Sequence, residues 1–113
     1  MPVLSTPSTK ATSFGQKKRP SRVLRFDGDA EKALRNFRDH GVSFEEAATV
    51  FGDPLAVEVE DKRHDEQRFN IYGTSDRKRL LAVTYTERGD IIWIISAREM
   101  EPRERRDYAN ERQ

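Results

Sequence analysis

The sequence predicts an α+β domain in which two N-terminal helices and a C-terminal helix surround a mainly antiparallel sheet. Three observations predict it. Apolar residues between positions 29 and 51 recur at helical spacing, residues from 55 onward alternate with a period of two, and a polar helical stretch follows Pro102. With 113 residues, 36% of them charged, and a mean hydropathy of −0.91, the chain suits one domain with a small core.

The net charge of +1 hides a split. Residues 1–21 hold Lys10, Lys17, Lys18 and Arg19 and no acid, so the rest of the chain carries net −3. This Ser-, Thr- and Pro-containing stretch has too little apolar surface to offset its ordering entropy, so it is expected to be a disordered basic tail before a domain spanning 22–113. It has no apolar core of a secretory signal, and it is too poor in Arg and too aperiodic to match a transit sequence well. Lys17-Lys18-Arg19 is either a solvated cluster or a nucleic-acid contact. The absence of Cys excludes a disulfide scaffold, a thiolate metal site and a Cys nucleophile. No run approaches the ~18 apolar residues of a membrane helix, so a cytoplasmic protein without membrane contact is expected.

Arg22 to Asp27 reads as a short strand. Asp29 suits a helix N-cap. Ala30, Ala33, Leu34 and Phe37 then form one face of an amphipathic helix. Gly41 suits its left-handed end, with Val42 as the hydrophobe that follows in a Schellman motif. Ser43 and Glu46 have capping-box spacing and restart a helix, which Gly52 and Pro54 close near Phe51. Leu55 to Glu60 alternates apolar and acidic residues, as a half-exposed strand does. After a charged loop, Glu66 to Thr74 reads as a strand with Phe69 and Ile71 on one side and Glu66, Arg68, Asn70 and Tyr72 on the other. Leu80 to Glu87 and Asp90 to Arg98 follow, joined by a turn at Arg88-Gly89, and the second is apolar on both faces, as a central strand is. These four strands form a meander, with the helices on one face of the sheet. Pro102 to Arg112 forms the last helix, anchored by Tyr108 and Ala109.

In order and spacing, these motifs resemble the BrnT family, toxins of bacterial type II toxin–antitoxin systems. The resemblance rests on HGVSFEEA from His40 to Ala47, then Phe51, Asp53 and Pro54. It continues through Glu66 and Arg68 before Gly73, VTYTERGD from Val83 to Asp90, and IISAR from Ile94 to Arg98. Arg103, Glu104, Arg105 and Tyr108 complete it. It implies a compact RelE-like ribonuclease fold and a metal-independent endoribonuclease, without cofactor, that shuts down translation. It also implies a BrnA-like antitoxin, through which alone operator DNA is reached. Three basic positions of the family pattern are acidic or aromatic here. Asp39 and Trp93 stand where a Lys and an Arg are usual, and Glu99-Met100 stands where Lys-Ala is usual. Each departure removes a potential phosphate contact.

Metal-free RNA cleavage needs a base for the 2′-OH, positive charge for the phosphorane, and an acid for the leaving 5′ oxygen. No Walker loop, nucleophile elbow or His-Glu-x-x-His suggests other chemistry. Glu66 and Arg68 are read as base and phosphate clamp, or plainly as a surface ion pair. Arg98 either forks onto phosphate or pairs with an acid at the strand end. On a regular strand Arg98 and Trp93 face opposite ways, so only a bulge lets them share a site. His40 is either a general acid or a helix-terminal His favoured by the carbonyl dipole. His64 suits a solvated loop, and no metal site is expected. Tyr85 and Trp93 either stack RNA bases or pack in the core. Arg63, Arg77 and Lys78, with Arg68 and Arg79, form a basic cluster that suits RNA. The Arg103–Asp107 charges suit a solvated helix face or an acidic antitoxin segment. The alternative to a toxin ribonuclease is a weakened family member that binds protein or RNA without cutting.

Overall fold

The computed structural model describes residues 24–111. The expected tail over 1–21 and the first residues of the expected domain, Arg22 and Val23, lie outside the described residues, as does the cluster Lys17-Lys18-Arg19. The elements run β1 (Arg25–Gly28), α1 (Ala30–His40), α2 (Phe44–Thr49), a single 3-10 turn (Val50–Gly52), β2 (Val57–Asp61), β3 (Arg68–Thr74), β4 (Leu80–Arg88), β5 (Ile91–Glu99) and α3 (Pro102–Glu111).

The strands form one sheet in the order β1-β5-β4-β3-β2. β2 to β5 are the expected antiparallel meander, and β1 adds a parallel edge beside β5. Gly89 has φ +62 and takes the first turn position between Arg88 and Ile91. The hairpin turn is therefore Gly89-Asp90, one residue later than expected.

Alternation on the strands sorts the core. Ile71, Leu81, Val83, Tyr85, Ile92, Ile94 and Ala97 point to one face, where Val42, Ala47 and Val50 cover them. Tyr85 is fully buried there, with its ring 5.0 Å from that of Phe51 and 5.3 Å from that of Phe69. Gly73 lets the 3-10 turn approach this face, since a Cβ there would lie 2.9 Å from Asp53 Oδ2 and 3.0 Å from Val50 Cγ1.

The helix ends form as their residues require. Asp29 Oδ1 accepts from the Glu31 and Lys32 amides. Gly41, at φ +70, donates its amide to the Phe37 carbonyl, which is the simpler left-handed cap rather than a Schellman motif. Ser43 Oγ accepts from the Glu46 amide, but the Glu46 side chain does not complete the capping box. It turns inward and binds Ser75 and Arg79 instead.

Two expectations are corrected. The apolar stripe of α1 is not buried: Leu34 is 72% exposed and Phe37 57%. The reason is hydrogen bonding. Next to Ala97, α1 rather than β1 lies along the open edge of β5. There Asn36 Nδ2 donates to the Ala97 carbonyl and Asn36 Oδ1 accepts from its amide. Satisfying that strand edge fixes the rotation of α1 about its axis. Leu34 then lies about 160° and Phe37 about 100° around the helix from Asn36. The helices also do not share one face. Glu104 on α3 binds Arg98, and Tyr108 and Asp107 lie beside Val57, Val59 and Tyr72, so α3 covers part of the face away from the core. Tyr108 anchors it by donating to Asp53 Oδ2 at 2.6 Å and meeting Thr74 Oγ1 at 3.0 Å, whereas Ala109 is exposed.

Candidate functional site

The face away from the core is built by the even-numbered positions of β3 and β4. Asn70 pairs with Thr84 and Tyr72 with Ala82, and Arg68 precedes them on the same side. On β5 the register changes: Thr84 faces Ser96, whereas Tyr85 faces Ile94, which leaves Ile95 as the extra residue of a bulge. The bulge reverses the parity of the strand. Trp93 faces Thr86 and Arg98 faces Ala82, so both side chains reach the same face as Arg68.

At one end of this face a depression of about 210 Å³ is lined by Asp29, Lys32, Glu66, Arg68, Arg88, Trp93 and Ile95. Glu66 lies just before β3 rather than within it, yet its carboxylate sits between two guanidinium groups, 4.0 Å from Arg68 and 3.4 Å from Arg88. Arg88 also lies over the ring of Trp93, 4.4 Å from its centroid. Arg68 Nε is buried and has no hydrogen-bond partner among the described residues. A buried donor without a partner is costly and marks either strain or a group waiting for a ligand.

Arg98 is on the right face but some way off: Ala82, its partner, is four residues from Thr86 along β4, about 13 Å. Its fork is filled by Glu104, with contacts of 2.8 and 2.9 Å. That hydrogen bond holds the Glu104 carboxyl below its ordinary range. Arg63 forks onto Asp61 at 2.9 and 2.8 Å, and this pair holds Asp61 well below the carboxylate range. Arg77 and Lys78 lie in the β3–β4 turn, at the far end of β4 from Arg88. His40 is exposed at the last position of α1, about 12 Å along the helix from Lys32. Tyr85 is corrected: a ring fully buried among Phe51 and Phe69 on the core face has no face to offer a base. Among the described residues no group of three or more His, Cys, Asp or Glu is arranged to hold a metal ion. No helix among them is long and apolar enough to cross a membrane.

Sequence reasoning missed Arg88, Lys32 and Asp29. The signal for Arg88 was present, since it continues the even-numbered series of β4. The two α1 residues depend on how that helix sits against the sheet, which its apolar pattern misrepresents.

The family model for the ribonuclease toxin BrnT of type II toxin–antitoxin systems matches residues 29–104. The fold is similar to the 1.1 Å crystal structure of the Brucella abortus ribonuclease toxin BrnT, with a TM-score of 0.57 and 20% identity over 70% of this chain and 99% of that one. No curated protein sequence matches the chain. The matched segment takes in every element from the Asp29 cap to Glu104 on α3, including all residues that line the depression, and on that match the chain belongs to the BrnT family of type II toxins.

Proposed function

We propose that the protein is the toxin of a toxin–antitoxin pair and acts as a metal-independent endoribonuclease that stops translation on a RelE-like scaffold. A BrnA-like antitoxin neutralises it, and operator DNA is met only through that antitoxin. Family membership supports a ribonuclease toxin with an antitoxin partner. The observation that carries the reading is the meeting of Glu66 and Arg68 in one depression, with a buried Arg68 donor left unpaired among the described residues.

In this reading a 2′-OH enters beside Glu66, which takes its proton as the oxygen attacks the adjacent phosphorus. Arg68 stabilises the charge that develops on the phosphoryl oxygens. The bond to the 5′ oxygen breaks, leaving a 2′,3′-cyclic phosphate, and the leaving oxygen takes up a proton. Lys32, which also lines the depression, is the proton donor in this reading. His40 ends α1, about two turns beyond Lys32, and does not line the depression.

The test is RNA cleavage by purified protein in EDTA, beside Arg68→Ala. Cleavage that persists in EDTA and is lost in the variant supports the reading. A folded wild-type protein that does not cut RNA, alone or on ribosomes, favours the binding-module alternative, and Trp93 in place of an Arg is the feature that would explain it.

A further inference from the structure

Five arginines on or beside the sheet are held in two different ways. Arg63, Arg79 and Arg98 each fork onto a carboxylate, those of Asp61, Glu46 and Glu104. Arg68 and Arg88 do not. They flank one carboxylate, Glu66, at 4.0 and 3.4 Å, and the contact at 3.4 Å is the single hydrogen bond made by the Arg88 side chain among the described residues. A guanidinium has five donors, so most of the donors on Arg88 remain available. What fixes Arg88 is the Trp93 ring beneath it, at 4.4 Å. A guanidinium held over an aromatic face keeps its charge and its donors while losing conformational freedom.

We propose that Arg88 is a second phosphate-binding residue of this site and that Trp93 is the positioning residue that holds it there. A phosphodiester has two non-bridging oxygens, and Arg68 and Arg88 approach Glu66 from two sides, so one phosphate in the depression meets a guanidinium on each. Trp93 thus serves the site through the cation it carries, rather than by stacking a base. The inference rests on the ribonuclease reading and extends it.

Two measurements on the full chain test it: single-turnover cleavage of an oligoribonucleotide, and the salt dependence of binding to its non-cleavable 2′-O-methyl form. Arg88→Ala is expected to slow cleavage about 100-fold, the cost of losing one preorganised charge donor. It should also lower the salt slope by about 0.7, the release expected for one phosphate contact on a single strand. Trp93→Leu should slow cleavage about fivefold, in line with losing a cation–π contact of ~1 kcal/mol. Trp93→Phe, which keeps an aromatic face, should stay near wild type. Arg88 is more than half exposed, so its variant is expected to fold, and Trp93→Phe guards against a packing defect in the Leu variant. A wild type that cleaves beside an equally fast Arg88→Ala, or a Trp93→Phe as slow as Trp93→Leu, overturns the inference and leaves the ribonuclease reading intact. A wild type that neither binds nor cleaves RNA overturns both.

Discussion

Arg79 and Arg68 sit at opposite ends of the β3–β4 hairpin and live in opposite circumstances. Arg79 binds the nearly buried Glu46 through two nitrogens, reaches Glu99 at 3.1 Å, and donates to the Gly41 carbonyl at 2.9 Å. It thereby ties the start of β4 to α2 and to the α1–α2 junction. Among the described residues, Arg68 has one loose ionic contact and a buried nitrogen with no partner. The difference teaches that charge alone does not mark a functional arginine in a chain this rich in Arg. A guanidinium whose donors are satisfied is a structural strut. One whose donors are held in place and left open is suited to a ligand.

The comparison breaks most readily at its structural end. Arg79→Ala leaves Glu46 charged, buried and without its main partner, and is expected to cost about 3 kcal/mol of stability. Urea unfolding would show it, and a loss below about 1 kcal/mol would mean that Glu46 finds water or another donor. Acid offers a second way in. The Arg79 hydrogen bond lowers the Glu46 carboxyl below its ordinary 4.5, and Arg98 does the same for Glu104. A carboxylate whose folded value is lowered contributes stability above its unfolded value and loses it as pH falls through the folded one. Stability should therefore decline as pH drops below about 4.5. Glu46→Gln should flatten that decline, and an unchanged pH profile in this variant would remove Glu46 from the account. The smallest effect is expected on α1. Leu34→Ser and Phe37→Ser should each change stability by less than about 0.5 kcal/mol, because these side chains are already exposed. A larger loss would show that the apolar stripe is covered in solution.

Much of the fold was legible because local chemistry and global structure agree. Asp29, Gly41 and Ser43 each do at a helix end what their side chain or backbone favours. The alternation of β3 and β4 sorts the core residues correctly, and Arg68 with them. Three features were not legible, each because a tertiary contact decides it. Asn36 binds the edge of β5 and so turns the apolar stripe of α1 outward. The bulge at Ile95 brings Trp93 and Arg98 to one face, which strict alternation forbids. The fork of Arg98 is filled from α3, an element whose place against the second face no periodicity encodes. The site was half legible for the same reason: Glu66 and Arg68 are close in sequence, whereas Lys32 and Trp93 reach them only through packing.

The most direct test of the division between strut and ligand arginines is to measure RNA cleavage and the urea midpoint on the same preparations of Arg68→Ala and Arg98→Ala. The account predicts that Arg68→Ala loses about 100-fold in cleavage while keeping a near-wild-type midpoint. It predicts that Arg98→Ala loses about 1.5 kcal/mol of stability and, while folded, cuts RNA at nearly the wild-type rate. An Arg98 variant that is stable but inactive, beside an Arg68 variant that still cuts, would contradict it and move the site to the α3 end of the sheet.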